Sequence, residues 1–555
     1  VNMPGLFWQP LVMASLCGLL GRRAEAAAAV KELLALDKDI ERNARHYIEC
    51  WHYSSGLMDR ILEGLQKAGL RVATVSSGEP ESAGKSIAVL PFANLSSSPD
   101  DEYFSDGITE EITNALARVP GMKVAARTSA FSFKGKNVPA GEIGRSLNVG
   151  TILEGSLRRA GKKLRITAQL VNVADGCHLW SERYDRELDD IFAVQDEIAT
   201  AIARKFEVSA GGPSGPLVKP ATRNMEAYEL YLKGLHARQH FGTNLTGALD
   251  FFERAAARDP EFAPAHASLA QTYSTLALTA ALRPSDGMPK AKAAAMRALE
   301  LDGSLAEAHC ALAVVSMLYD WDWEAAEKGL LRALELSPND SQASFYYGHF
   351  YLAYVAGQPE KGAELCRRAW EGDPLAGYAL HGLASDLVIL ERNRELIELC
   401  RRELARDPSA FHLQRLLGLG LLGESRLDEA QAAMEEAVRT SGRHAWALFE
   451  LGMLHARCGH RAEAEAIQEE LVSRSRVAYL QSGILAAIPA WLGRFDEALA
   501  LLERAIEERD CTLLAIPVWP TWSALWNLPR CPELLKRIGI TKPAPSGAES
   551  RLKQG

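Results

Sequence analysis

Three stretches of the sequence carry residue types that could do chemistry. Between Asp100 and Glu111 six carboxylates crowd together: Asp100, Asp101, Glu102, Asp106, Glu110 and Glu111. Such a cluster could ligate a hard cation or move protons, yet a carboxylate metal site wants further ligands and the sequence nominates none. The second stretch, "GEPESAGKS", imitates a phosphate-binding loop. It holds one residue too many between Gly78 and Gly84, and it precedes a strand where the nucleotide motif follows one. The third, "HARCGHR", gathers His455, Cys458 and His460, but a structural zinc site needs a full tetrahedral set and no further ligand stands nearby. No HExxH, nucleophile elbow or kinase signature set is found. The sequence therefore nominates no catalytic residue, no metal and no cofactor.

The elements around these residues explain them more simply. "SIAVLPF" is a short apolar run ending at Pro91, which suits a strand buried on both faces. A helix is expected after it. Ser105 or Asp106 would cap its amides, Glu110 and Glu111 would sit where the macrodipole favours anions, and Ile108, Ile112, Ala115 and Leu116 would form its apolar face. "GEPESAGKS" then reads as part of a flexible linker.

With 555 residues the chain is long enough for several folding units. Basic residues number 62 against 71 acids, for a net charge of −9, so no basic field attracts nucleic acid. The nine cysteines are scattered without paired spacing, which fits a reducing cytoplasm. The apolar opening "LFWQPLVMASLCGLLG" has no positive residue before it, contains Gln9 and Pro10, and is short for a membrane span. No membrane span is expected.

"VATVSSGEPESAGK" and "AGGPSGPLVKPAT" break the periodic pattern and divide the chain into residues 1–71, helical; 86–209, mixed strands and helices; and 222 onward, helices alone. In the last part Leu383, Leu417, Leu451 and Leu485 stand 34 residues apart, each followed by a small residue: Ala384, Gly418, Gly452, Ala486. The same register gives Leu396, Ala430, Ala464 and Ala498, then Cys400, Met434, Gln468 and Leu502. Earlier units fit more loosely, through Ala248, Phe252, Ala255 and Pro260, and through Ala326, Leu330, Ala333 and Pro338; Pro374 and Pro408 close later ones. Residues 222–510 thus resemble the tetratricopeptide repeat family, with about eight units by the period. Residues 511–540, "PVWPTWSALWNLPRCPELLKRIGI" among them, should cap the apolar end of the array. Residues 1–71 look like the closing segment of another such array, so the chain could be the downstream part of a longer design.

In the middle part "MKVAAR" reads as a strand and "AGEIGRSLNV" as a short helix. An alternating stretch with turn signals at Ala160-Gly161-Lys162 and Asp175-Gly176 reads as a meander, and "IFAVQDEIATAIARKF" as an amphipathic helix. The expected order is βαβαβββα, an α+β domain set beside an all-α superhelix in a multidomain chain. "IAVLPFANLS", "YFSDGITEEI", "VAARTSAFSFKG", "VGTILEGSLRR", "LRITAQLVN" and "LWSERYDREL" resemble the TolB amino-terminal-like domain, related to FlgO-type domains. That resemblance implies an accessory module found in bacterial signalling chains beside cyclase, kinase or winged-helix units, and it implies no activity of its own.

The expectation is a non-enzymatic scaffold whose repeats hold a protein segment in their concave groove. The alternatives are the regulatory half of an adenylate cyclase or kinase system, or a transcriptional regulator without its DNA-binding domain. The family geometry places Tyr378, His381, His412, Arg415, Trp446 and Phe449 on the concave face. That aromatic and partly basic strip suggests a partner segment with acidic and apolar side chains. The linker near Ser209 should carry few contacts, leaving Ser86 to Val208 to fold alone.

Overall fold

The computed structural model describes residues 8–36, 40, 55–70, 86–96, 101–117, 119, 121–206, 221–238, 245–373 and 377–540. The stretch 72–85, most of 210–222, Asp100 and Pro374 lie outside them. The chain divides into two compact units, Val1–Gly84 and Lys85–Gly555.

The first unit contains α1 (Trp8–Leu19), α2 (Arg23–Leu36) and α3 (Ser55–Lys67). Leu11, Ala14, Leu33, Leu62 and Leu65 form its core. Helices α1 and α3 touch backbone to backbone, because a Cβ on Gly18 would lie 2.0 Å from the Gly64 oxygen. Ser15 Oγ donates to the Ile61 carbonyl at 3.0 Å in the same seam.

The second unit opens with a mixed sheet. Its elements are β1 (Ser86–Val89), β2 (Ala93–Asn94), α4 (Glu102–Ala117), β3 (Lys123–Val124), α5 (Arg127–Phe131), α6 (Ala140–Leu147), β4 (Thr151–Ala160), β5 (Lys163–Asn172), β6 (His178–Glu187) and α7 (Ile191–Lys205). Relative to the expected order, β2 and α5 are additional. The sheet runs β3-β1-β4-β5-β6, with β2 beside β4. β1 is parallel to β3 and β4, and β4, β5 and β6 are antiparallel. All four residues of β1 are buried, as its unbroken apolar run requires. The meander turns at Gly161 and Gly176, whose φ angles of 62° and 69° are in the region glycine adopts without cost.

Helix α4 corrects the capping expectation. It begins at Glu102, so Ser105 and Asp106 lie inside it and cap nothing. Asp106 is buried and accepts from Lys134 Nζ at 2.5 and 2.7 Å and from His236 Nδ1 at 2.8 Å. Glu102 pairs with Lys134 at 2.8 Å, and Glu110 with Arg127 at 3.1 Å. These carboxylates are matched by the chain's own cations.

Helical pairs follow: α8 (Met225–Arg238) with α9 (Leu245–Arg258), α10 (Ala263–Leu278) with α11 (Pro284–Leu301), and α12 (Ala306–Val315) with α13 (Trp323–Leu336). α14 (Ser341–Phe345) runs on as a π-helix, Tyr346–Val355, and pairs with α15 (Pro359–Gly372). Then come α16 (Gly377–Ile389) with α17 (Asn393–Leu404), α18 (Phe411–Gly423) with α19 (Leu427–Thr440), α20 (Ala445–Arg457) with α21 (Arg461–Ser475), and α22 (Ser482–Trp491) with α23 (Phe495–Glu507). Two short helices close the described chain, α24 (Ser523–Trp526) and α25 (Arg530–Lys536). Every second-helix position picked out by the 34-residue register, from Leu396 to Leu502, is buried. A Cβ on Gly418 would lie 2.7 Å from Met434 Cγ, which is the close approach a small residue allows.

One expectation fails at the boundary between sheet and hairpins. Ile108, Ile112, Phe192 and Ile198 share a single core with Tyr228, Leu232, Phe252 and Phe262. Tyr228 packs 4.7 Å from Phe192 and accepts from Gln195 Nε2 at 2.9 Å. Arg159 reaches Glu229 at 2.6 Å, and a Cβ on Gly107 would strike Leu232 at 2.4 Å. Contacts are dense here although the linker is rich in Pro and Gly, because α8 lies directly on α4.

Candidate functional site

The first helices of successive pairs line a cavity of about 1900 Å³. Its wall is built at repeat spacing, Phe345, Tyr378, Phe411 and His444 standing 33 residues apart. Rings touch along it: Phe345 to Tyr378 at 5.6 Å, His381 to His412 at 5.7 Å and Phe411 to His444 at 5.3 Å. Val124 to Arg127 of the sheet module and Ala515 and Trp519 of the C-terminal segment line the same cavity. The sheet module is also tied to the hairpins by a buried hydrogen bond between Ser129 and Asp373. On the hairpin side Arg238, Gln271 and Gln342 form a hydrogen-bonded chain across three first helices.

The six strip residues are not equivalent. Tyr378, His381, His412 and Trp446 are partly exposed on the cavity wall. Arg415 is 4% exposed, ion-paired with Glu450 and held between Trp446 at 5.3 Å and Trp519 at 5.6 Å. Phe449 is fully buried, stacked on Trp522 at 5.2 Å. The acidic-partner argument drawn from Arg415 alone therefore needs correcting: that guanidinium already has a carboxylate. Phe449 supports the wall from behind.

The C-terminal segment reaches further than an end cap. Trp491 Nε1 donates to the Thr521 carbonyl at 2.8 Å and Trp522 Nε1 to the Gly483 carbonyl at 3.2 Å, which covers the last hairpin. Trp519 Nε1 also donates to Tyr354 Oη at 2.8 Å, so the segment runs across the strip. Tyr354 Oη meets His349 Nε2 at 2.6 Å, and His349 Nδ1 meets Asp386 Oδ1 at 2.6 Å. Sequence reasoning misses this chain because the π-helix brings His349 and Tyr354, five residues apart, onto one side.

Burial sets the protonation of the wall. It holds His381 well below its ordinary pKa, with His412 and Arg415 pushing the same way. Burial and then Arg415 lower His412 to about 4. Burial lifts Glu450 to about 7 against the pull of Arg415, and lifts Asp386 to about 6 against that of His349. Elsewhere His455 and His460 approach at 3.4 Å, and among the described residues no set of three or more His, Cys, Asp or Glu side chains is arranged to hold a metal ion. Among those residues no helix is long and apolar enough to cross a membrane.

The molecule is a mostly helical protein with a small mixed sheet, its hairpins enclosing a ring-lined cavity. No family model matches the chain. Over 239 residues it is 40% identical to a Rhizobium meliloti (strain 1021) protein named "Putative adenylate cyclase 3". That match covers 42% of this chain and 40% of the relative, so the chain spans well under two thirds of that protein. Among solved structures it is similar to YrrB, a TPR protein with an unusual peptide-binding site, at 19% identity over 36% of this chain and 95% of that one, with a TM-score of 0.26. It is also similar to a thermophilic TPR protein of Thermus thermophilus, at 24% identity over 33% and 98% of the two chains, with a TM-score of 0.27.

Proposed function

We propose that the chain is a non-enzymatic interaction scaffold of a bacterial signalling system, holding a partner segment against the concave wall of a tetratricopeptide-type array. One observation carries this reading. Successive first helices present Tyr378, His381, His412 and Trp446 to a single cavity of about 1900 Å³, and aromatic side chains of this kind dominate recognition surfaces. The sheet module, of TolB amino-terminal-like type in this reading, is the accessory part that closes one side of the groove. A second reading is favoured by the 40% identity to the cyclase-named relative: the chain is the regulatory part of an adenylate cyclase system, whose catalysis resides outside these residues.

The test uses the full chain, immobilised and crosslinked to what it captures. Crosslinks should map to the mouth of the cavity, and Tyr378→Ser with Trp446→Ser should abolish capture while circular dichroism stays unchanged. Undiminished capture would place the surface elsewhere. Formation of cyclic nucleotide from ATP by the purified chain would overturn the non-enzymatic reading.

A further inference from the structure

On the wall made by α16, α18 and α20, hydrogen-bonding groups outnumber their partners. His381 and His412 line the cavity, and among the described residues their contacts are ring against ring, with no hydrogen bond to either imidazole. Arg415 commits Nη1 to Glu450, and among the described residues its Nε and Nη2 make no hydrogen bond. His444 uses Nδ1 to accept from the Trp446 amide at 3.3 Å.

The acids on the same lining are occupied. Asp407 accepts from the Ser409 amide and hydroxyl at 3.0 and 2.6 Å, Asp340 from the amides of Gln342 and Ala343 at 2.9 and 3.0 Å, and Asp373 from Ser129. Behind the wall Asp386 is engaged by His349, and Glu450, lifted by burial, carries only part of its charge near neutral pH. Arg415 lowers the proton affinity of His381, His412 and His444 alike, so the wall sits at positive potential. Donors at positive potential in a poorly hydrated concavity favour an oxyanion, and the faces of Tyr378, Phe411 and Trp446 beside them favour a flat ring.

We propose that His381, His412 and Arg415 form a binding site for the carboxylate or phosphate of a small aromatic ligand whose ring lies along Tyr378, Phe411 and Trp446. A small molecule is favoured over a chain because the protein closes the cavity with Trp519 on one side and Val124 to Arg127 on another. A ligand seated there competes with a partner segment for the strip. That consequence rests on the interaction reading above, and the binding itself does not.

The full chain, with its histidines isotopically labelled, is titrated with phenyl phosphate and with benzoate while imidazole resonances are followed by NMR and heat by calorimetry. Benzamide, which keeps the ring and loses the charge, is the control. At least one anion should bind saturably in the low millimolar range or tighter, shift the His381 and His412 resonances and raise their apparent pKa values. Benzamide should do neither. His381→Asn with His412→Asn should weaken binding at least about tenfold. Equal binding of benzamide, no saturable binding of either anion, or unchanged affinity in the folded double variant would overturn the proposal. If that variant does not fold, the wild-type resonances decide, and shifts confined to His266 or His309 count against the site. Binding of an acetylated, amidated Phe-Asp dipeptide where both small anions fail would assign the oxyanion to a partner chain and reject the small ligand. Partner capture that persists in a chain without anion binding leaves the scaffold reading intact and removes this one.

Discussion

At the scale of single residues, the buried titratable groups behind the strip make stability depend on pH in two opposed directions. His412 has its folded pKa lowered to about 4 from 6.5, so the folded protein binds fewer protons there than the unfolded chain. Its contribution is complete above pH 6.5 and is lost as pH falls through 6.5 towards 4, amounting to about 2 kcal/mol at pH 5. Glu450 runs the other way. Its folded pKa is raised to about 7 from 4.5, so its contribution is complete below 4.5 and lost as pH rises through 7. His412→Asn should therefore lose less melting temperature than wild type between pH 7 and pH 5, and Glu450→Gln should lose less between pH 5 and pH 8. Parallel curves for wild type and both variants would show that these groups titrate as they do in water. The Arg415–Glu450 pair makes a sharper case. Arg415→Met strands a buried carboxyl and should cost roughly 3 to 5 kcal/mol, whereas Arg415→Met with Glu450→Leu should recover most of it. Denaturant melts of the two variants distinguish this from simple loss of packing, in which the double variant would be the worse.

At the scale of elements, what keeps two helices together is how closely their backbones approach. A Cβ on Gly362 would lie 2.5 Å from the Gly348 carbonyl oxygen and 2.9 Å from Asp386 Oδ2. On Gly452 it would instead meet the movable ends of Ile488 and Ile467, at 2.4 and 3.1 Å. Gly362→Ala should thus destabilise by roughly 1 to 3 kcal/mol, and Gly452→Ala by less, since a side chain yields where a backbone cannot. Chemical denaturation ranks the two, and the reverse order would mean that the π-helix gives way more easily than the isoleucines. Gly452 and Gly418 are legible in the sequence because α16 to α23 keep a 34-residue period. Gly362 is not, and neither is the His349–Tyr354–Asp386 chain. Residues Ser316–Asp320 and Tyr346–Val355 are π-helical, which changes the number of residues per turn and takes α12 to α15 out of the register that the later leucines share. The strip was legible as a set of positions on first helices. Its division into exposed wall and buried support was not, because the covering residues, Trp519 and Trp522, come from a segment outside the repeat.

At the scale of the whole second unit, the question is where a folding unit ends. Composition places an end at the Pro- and Gly-rich linker near Ser209, and that signal speaks only of the linker's own stiffness. It is silent about what the elements on either side bury. Here α4 offers Ile108, Ile112 and Gly107 to α8, and α7 offers Phe192 and Gln195 to Tyr228, so the apolar face of the sheet module is completed by the first hairpin. Cutting at Val208 would expose that face and also strand the buried Asp106 carboxylate without His236. Polar and apolar losses act together, because the same helix carries both. A fragment of residues 86–208 should accordingly melt broadly and bind a hydrophobic dye, whereas 86–262, which adds Tyr231, Phe252 and Phe262 with their ring contacts of 5.1 to 6.0 Å, should melt in one sharp transition. Calorimetry on the two fragments is the measurement. A sharp, dye-free transition in the shorter one would make the shared core a docking of two independent domains, and a broad transition in both would extend the cooperative unit to the later hairpins, through Ser129 and Asp373.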